Sequence, residues 1–143
     1  MNSLQHLCYT SNATRPLTPV DLERLLVSAR VFNGTQGVTG VLLHHDGSFL
    51  QYLEGPTDGL QRVYQRIQES PLHTDLFELL GGWLDERVFP EWQMGSTRVA
   101  ESTVLSLRHA SWQMLSNPYG HHPILSPGLL LLRAHFGFLQ SSV

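Results

Sequence analysis

The dipeptide Asp46-Gly47 constrains this chain more than any other pair of residues, because it separates two strand-forming runs, Val38 to His44 and Ser48 to Glu54. Asp-Gly readily supplies the two positive-φ positions of a two-residue hairpin turn, whose twist matches that of the flanking strands. The two runs are therefore expected to pair antiparallel in a fixed register. Within the second run Phe49, Gln51 and Leu53 alternate onto one face, so a carboxamide lies between two apolar side chains on the side expected to be buried. An unpaired buried amide costs roughly a few kcal/mol. Gln51 therefore needs a polar neighbour.

The rest of the chain supplies the elements around this hairpin. Leu4 to Ser11 reads as a first strand, and Asn12 to Pro16 as a loop. Thr18 is placed to cap a helix, with Pro19 at its first position and Asp21 three residues after the cap, near the positive end of the helix dipole. Leu22, Leu25, Leu26 and Ala29 give that helix one apolar face, and Asn33-Gly34 ends it. Leu60, Val63, Tyr64 and Ile67 mark a second amphipathic helix that Pro71 terminates. Leu76 to Trp83 and Trp92 to Arg98 read as two further strands. The sum is an α+β chain: a ferredoxin-like sandwich with a five-stranded mixed sheet and two helices on one face. In that sheet the first and third strands lie centrally and adjacent, so Tyr9 and Gln51 can meet on the helix-covered face, with Leu25 and Ile67 as apolar walls.

A C-terminal extension comes next, residues 99–143. Ser102 to Leu115 has helical periodicity, with Val104, Leu105, Ala110 and Leu115 apolar, and Asn117 to Pro123 breaks it. Ser126-Pro127 can cap a last helix through Leu139. Leu129 to Leu132 is apolar on all sides, which calls for burial against the outer face of the sheet or in a homo-oligomer interface.

Composition excludes several function classes. With 143 residues, 41% of them hydrophobic and 15% charged, the chain can bury one ordinary core, and it has no apolar run long enough to span a bilayer. Its start, Met1-Asn2-Ser3-Leu4, lacks the pattern of a secretory signal, so a cytoplasmic location is expected. A net charge of −3, with nine scattered Arg and no Lys, argues against nucleic-acid binding. Cys8 is the single cysteine. His44 and His45, adjacent on a strand, point to opposite faces, and His121-His122 has no evident partners, so no metal site is expected. Gly34 to Gly40 superficially resembles a phosphate loop but lacks its Lys-Ser/Thr ending. No nucleophile with an adjacent base is evident, and no enzymatic activity is expected.

Five residues remain to be explained: Tyr9, Asn33, Gln51, Trp92 and Met94. Each has an ordinary reading as a strand tyrosine, a helix cap, a backbone-bonded amide or a core residue. Their joint placement in Leu7-Cys8-Tyr9-Thr10-Ser11, Val31-Phe32-Asn33, Phe49-Leu50-Gln51-Tyr52-Leu53-Glu54-Gly55 and Glu91-Trp92-Gln93-Met94 resembles the BLUF family, the sensors of blue light using FAD. The likeness runs from about Leu4 to Arg98, so residues 1–98 are read as the flavin-binding domain.

The resemblance implies that an isoalloxazine lies between the two helices. It also implies that Tyr9 is the electron and proton donor, that Gln51 relays hydrogen bonds to flavin N5 and C4=O, and that Asn33 pairs with the pyrimidine edge. Phe32 occupies a position that is variable in the family and often carries an aromatic or His. Trp92 and Met94 match the family's strand-five pair, whose exchange carries the signal outward to a protein partner. His73 matches the family histidine of an Asp-x-Arg-His segment, but Leu72 stands where the family has Arg, in Ser70-Pro71-Leu72-His73. Arg30, Arg62 and Arg66 are candidates for the phosphate end of FAD. The alternative is a BLUF-like interaction module that no longer uses flavin.

Overall fold

The computed structural model describes residues 3–91, 94–112 and 126–141. Its elements are β1 (Leu4–Ala13), α1 (Pro19–Thr35), β2 (Thr39–His45), β3 (Ser48–Pro56), α2 (Thr57–Glu69), β4 (His73–Leu84), β5 (Gly95–Arg98), α3 (Glu101–His109) and α4 (Pro127–Ser141). The turn between β2 and β3 forms as its sequence requires, with Asp46 at φ 43° and Gly47 at φ 83°. The strands order β4-β1-β3-β2-β5. All neighbours are antiparallel except β2 and β5, which run parallel. The sheet is thus mixed, with β1 and β3 adjacent near its centre.

α1 begins with a full capping box: Thr18 Oγ1 accepts from the Asp21 amide at 3.1 Å, and the Asp21 carboxylate accepts from the Thr18 amide at 3.1 Å. α1 and α2 cover one face of the sheet, where Leu26, Leu60 and Val63 pack on Leu7, Tyr9, Leu42, Phe49 and Leu53. α3 and α4 cover the other, where Val104, Leu107, Leu129, Leu132 and Phe136 pack on Cys8, Val41, Leu43, Leu50 and Tyr52. Burial on both faces accounts for the nearly continuous apolar run of β3. Gly40 is required by close packing, since a Cβ there would run into the Tyr52 carbonyl oxygen. Steric contact in the sheet, not phosphate binding, accounts for that glycine.

Several boundaries differ from expectation. β4 starts at His73 rather than Leu76, because its pairing with β1 continues to Ala13 opposite His73. β5 begins at Gly95, opposite Val41, and Trp92 lies outside the described residues. α3 ends at His109, before Leu115, and Leu105 faces solvent while Leu107 is buried. Leu115 and His121-His122 also lie outside the described residues. Ser126 does cap α4, accepting from the Leu129 amide at 3.2 Å. The Leu129 to Leu132 block is not buried on all sides: Leu129 and Leu132 are fully buried, whereas Leu130 is 44% and Leu131 52% exposed. One stripe of α4 is enough to cover this part of the sheet.

Candidate functional site

The β1–β3 register sets Tyr9 directly opposite Gln51 on the face covered by α1 and α2. Tyr9 is fully enclosed and Gln51 is 7% exposed. The Tyr9 hydroxyl donates to Gln51 Oε1, and Gln51 Nε2 lies 3.5 Å from Met94 Sδ as donor. This network fixes the orientation of the amide, because a thioether sulfur only accepts. The polar neighbour that Gln51 needs is therefore Tyr9, and Met94 takes its second side.

A cavity of about 440 Å³ opens between α1 and α2, within the range of small-molecule and cofactor sites. Gln51 and Met94 lie at its sheet side, Asn33 comes from the last turn of α1, and Leu25 and Ile67 supply apolar surface from the two helices. Tyr9 is not among the lining residues; it stands behind Gln51. Asn33 is 2% exposed, and its backbone carbonyl accepts from the Gln36 and Val38 amides at 3.0 Å, which anchors the helix end. Apolar walls with two carboxamides fit a planar heteroaromatic ring whose edge both donates and accepts hydrogen bonds.

His73 and Leu72 also line the cavity. His73 Nδ1 is 3.3 Å from Ser11 Oγ, and burial lowers its pKa, favouring a neutral ring. Leu72 is held through its backbone, its carbonyl accepting from the Thr14 amide at 3.0 Å. Its side chain therefore brings hydrocarbon, not a cation, to this wall.

Besides Tyr9, three predicted contacts fall elsewhere. Arg30 does not line the cavity; its Nε donates to the Met94 carbonyl at 3.0 Å. Phe32 is also outside the lining, with the Arg66 guanidinium 4.6 Å from its ring centroid. Arg62 bonds Gln36 Oε1 at 3.1 Å, which leaves Arg66 as the one of those three arginines that reaches the cavity. Arg15 and Arg24 join it there, and all three are exposed. Sequence reading missed Arg15 and Arg24, although Arg24 lies one residue before Leu25 on the cavity side of α1.

Burial raises the Tyr9 phenol well above its ordinary pKa, and neighbouring Tyr64 and Cys8 add to the effect. Tyr9 holds its proton at neutral pH. Tyr64, whose ring centroid is 5.7 Å from that of Tyr9, donates to Glu78 at 3.0 Å and is pushed up to about 12, chiefly by burial.

A second polar network, on the opposite face of the sheet, has no counterpart in the sequence-based expectations. Glu54 is fully buried and accepts from Tyr52 Oη at 2.8 Å and from the Val88 and Phe89 amides at 2.9 and 2.6 Å. His6 Nδ1 is 3.0 Å from the same phenol oxygen. Because the phenol proton points to Glu54, His6 must carry its hydrogen on Nδ1 and donate it. Arg87 completes the network, donating to the Glu54 and Gly37 carbonyls at 3.2 and 2.7 Å. The signal was in the strand alternation: Glu54 shares its face with Leu50 and Tyr52. Among the described residues no group of His, Cys, Asp and Glu is arranged to hold a metal ion.

Fold and site together define a ferredoxin-like α+β domain with a cofactor-sized cavity between its two sheet-packed helices. Residues 4–95 match the family model BLUF, sensors of blue-light using FAD, and the chain belongs to that family. Over 95 residues it is 43% identical to photoactivated adenylate cyclase subunit beta of Euglena gracilis, a match covering 66% of this chain and 11% of that protein. The chain thus corresponds to a small part of the curated relatives it matches. Among solved structures, the dark state of the BLUF protein BlrB superposes with a TM-score of 0.65 at 30% identity, covering 74% of this chain and 80% of the other. Klebsiella pneumoniae BlrP1, solved with FMN and cyclic diGMP, gives 0.61 at 31% identity over 76% of this chain and 27% of that one.

Proposed function

We propose that this chain senses blue light by holding FAD noncovalently between α1 and α2, and passes a reversible structural signal to a protein partner. The observation that carries the reading is the continuous chain Tyr9 Oη, Gln51, Met94, two of whose members border the cavity. Bound flavin would supply the blue-light absorption and an electron-accepting excited state. Leu25 and Ile67 would hold its ring from the helices, Asn33 would pair with its pyrimidine edge, and His73 would lie against it from the β4 end. The exposed Arg15, Arg24 and Arg66 are suited to the phosphate end.

Tyr9 is the oxidisable donor in this reading. Its proton is directed at Gln51 Oε1, so an electron lost from the phenol leaves with an acceptor for the proton already in place. Gln51 then responds, because a primary amide can reverse its donor and acceptor sides without a net change of charge. A reversed amide sets Oε1 against Met94 Sδ, an acceptor facing an acceptor, and the contact that holds Met94 becomes repulsive. Met94 is flexible and polarisable, which suits a side chain that must yield. Trp92 is the expected counterpart in that exchange. No bond to a product is made, so the domain is a sensor rather than an enzyme.

Among the described residues no helix is long and apolar enough to cross a membrane, and we place the protein in the cytoplasm. We read residues 1–98 as the sensor and 99–143 as the extension through which the sheet communicates outward. Titrating apoprotein with FAD, FMN and riboflavin tests the reading. Saturable uptake of FAD supports it, and FMN uptake without FAD uptake would change the cofactor. If no flavin bound, the reading would give way to a light-independent interaction module.

A further inference from the structure

We infer that Arg30 is a positioning residue that holds Met94 in its dark orientation, acting on the strand rather than on the cofactor. Met94 immediately precedes β5, whose pairing with β2 begins at Gly95 opposite Val41. Its carbonyl is held by Arg30 Nε at 3.0 Å, from a part-buried side chain on α1. Among the described residues its thioether accepts one hydrogen bond, from the Gln51 amide at 3.5 Å, and sulfur is a weak acceptor on a side chain with three rotatable bonds. The side chain is 3% exposed within the helix-covered core, which confines it. The charge-assisted bond to its backbone adds a directional restraint, because it sets where the side chain starts.

Arg30 lies one helical turn before Asn33, so the two are neighbours along one side of α1. Asn33 faces the cavity, whereas Arg30 reaches the strand. The last turns of α1 therefore present one polar group to the ligand site and another to the segment that leads into β5. Removing Arg30 should disturb Met94 at the sheet side of the cavity while leaving Leu25, Asn33, Gln51 and Ile67 in place. The tether belongs to the fold itself; its part in the light response rests on the function proposed above.

The test is methyl NMR on protein labelled at the methionine methyl carbons, with Met94 identified by its disappearance in Met94→Leu. Arg30→Met removes the donor at similar length. Arg30→Lys restores a cationic donor, since its Nζ is one bond further from Cα than arginine Nε. In dark apoprotein Arg30→Met should displace and broaden the Met94 methyl signal, and Arg30→Lys should return it to the wild-type position. In holoprotein Arg30→Met should bind flavin as wild type does, with its dark Met94 signal moved toward the lit wild-type position. A superimposable Met94 signal in Arg30→Met, or no rescue by Lys, overturns the proposal.

If Arg30→Met fails to fold, hydrogen exchange at the Arg30 Nε–H of the wild-type protein decides. Exchange slower by about tenfold than at exposed Arg24, equivalent to roughly 1.4 kcal/mol, supports the tether, and equal rates overturn it. The apoprotein arms remain informative even if no flavin binds, which separates failure of this inference from failure of the photoreceptor reading.

Discussion

Tyr9→Phe separates the structural work of one hydroxyl from its photochemical role. The ring of Tyr9 is fully buried and packs with Tyr64 at a centroid distance of 5.7 Å, so phenylalanine keeps the packing. What disappears is the donor to Gln51 Oε1. The amide cannot repair the loss by turning over, because Oε1 would then face Met94 Sδ, which offers no proton, and Nε2 would face a bare ring. At least one buried amide atom is left without a partner in either orientation, at a cost of about 1–3 kcal/mol. For a chain of this length that lowers the melting temperature by about 3–10 °C. Urea denaturation of the apoproteins measures the first effect, and flavin titration should show binding nearly unchanged, since Tyr9 is behind Gln51 and not in the cavity lining. Light-minus-dark absorption of the holoprotein measures the second, and the variant should show no red shift. A Tyr9→Phe protein that photocycles as wild type does would refute the assignment of Tyr9 as donor, whatever its stability.

The other predictions draw on different parts of the molecule. Leu72→Arg places a cation on the cavity wall and should tighten flavin binding by about tenfold if the new bond contributes roughly 1.4 kcal/mol; equal or weaker affinity in a folded variant would withdraw the alignment of Ser70 to His73. Leu132→Ala should destabilise the fold by about 2–5 kcal/mol in chemical denaturation, whereas Leu130→Glu, at a position 44% exposed, should stay within about 0.5 kcal/mol of wild type unless a second copy covers it. His6 is pushed down to about 4 from 6.5 by burial. Because the folded value is depressed, its stabilisation is present above pH 6.5 and is lost as pH falls through about 4. The loss is up to about 3 kcal/mol, and urea melts of wild type and His6→Gln across that range should diverge accordingly.

Local chemistry made much of the fold readable. Asp46-Gly47 and the Thr18-Pro19-Asp21 cap each encode their structure within a few residues, and the structure follows both. The opposition of Tyr9 and Gln51 was legible because strand alternation and the hairpin fix which faces meet. Arg30 was harder, since a long side chain on a helix can reach a ligand or a strand, and periodicity does not distinguish the two. The outer-face network of His6, Tyr52, Glu54 and Arg87 was missed because it joins groups brought together by tertiary structure from β1, β3 and the segment after β4. Leu130 and Leu131 show the limit of composition. Four consecutive leucines imply burial on every side, but the sheet needs one stripe of α4, and the leftover side chains face solvent.

The most direct measurement is the visible absorption spectrum of the purified, FAD-loaded protein before blue light, during it and after return to darkness. The account predicts a flavin spectrum that shifts slightly to the red under illumination and reverts fully in the dark, with the shift abolished in Gln51→Leu. A bound flavin whose spectrum does not change with light, or a full red shift in Gln51→Leu, would contradict the claim that the Tyr9, Gln51 and Met94 chain is the light-responsive element.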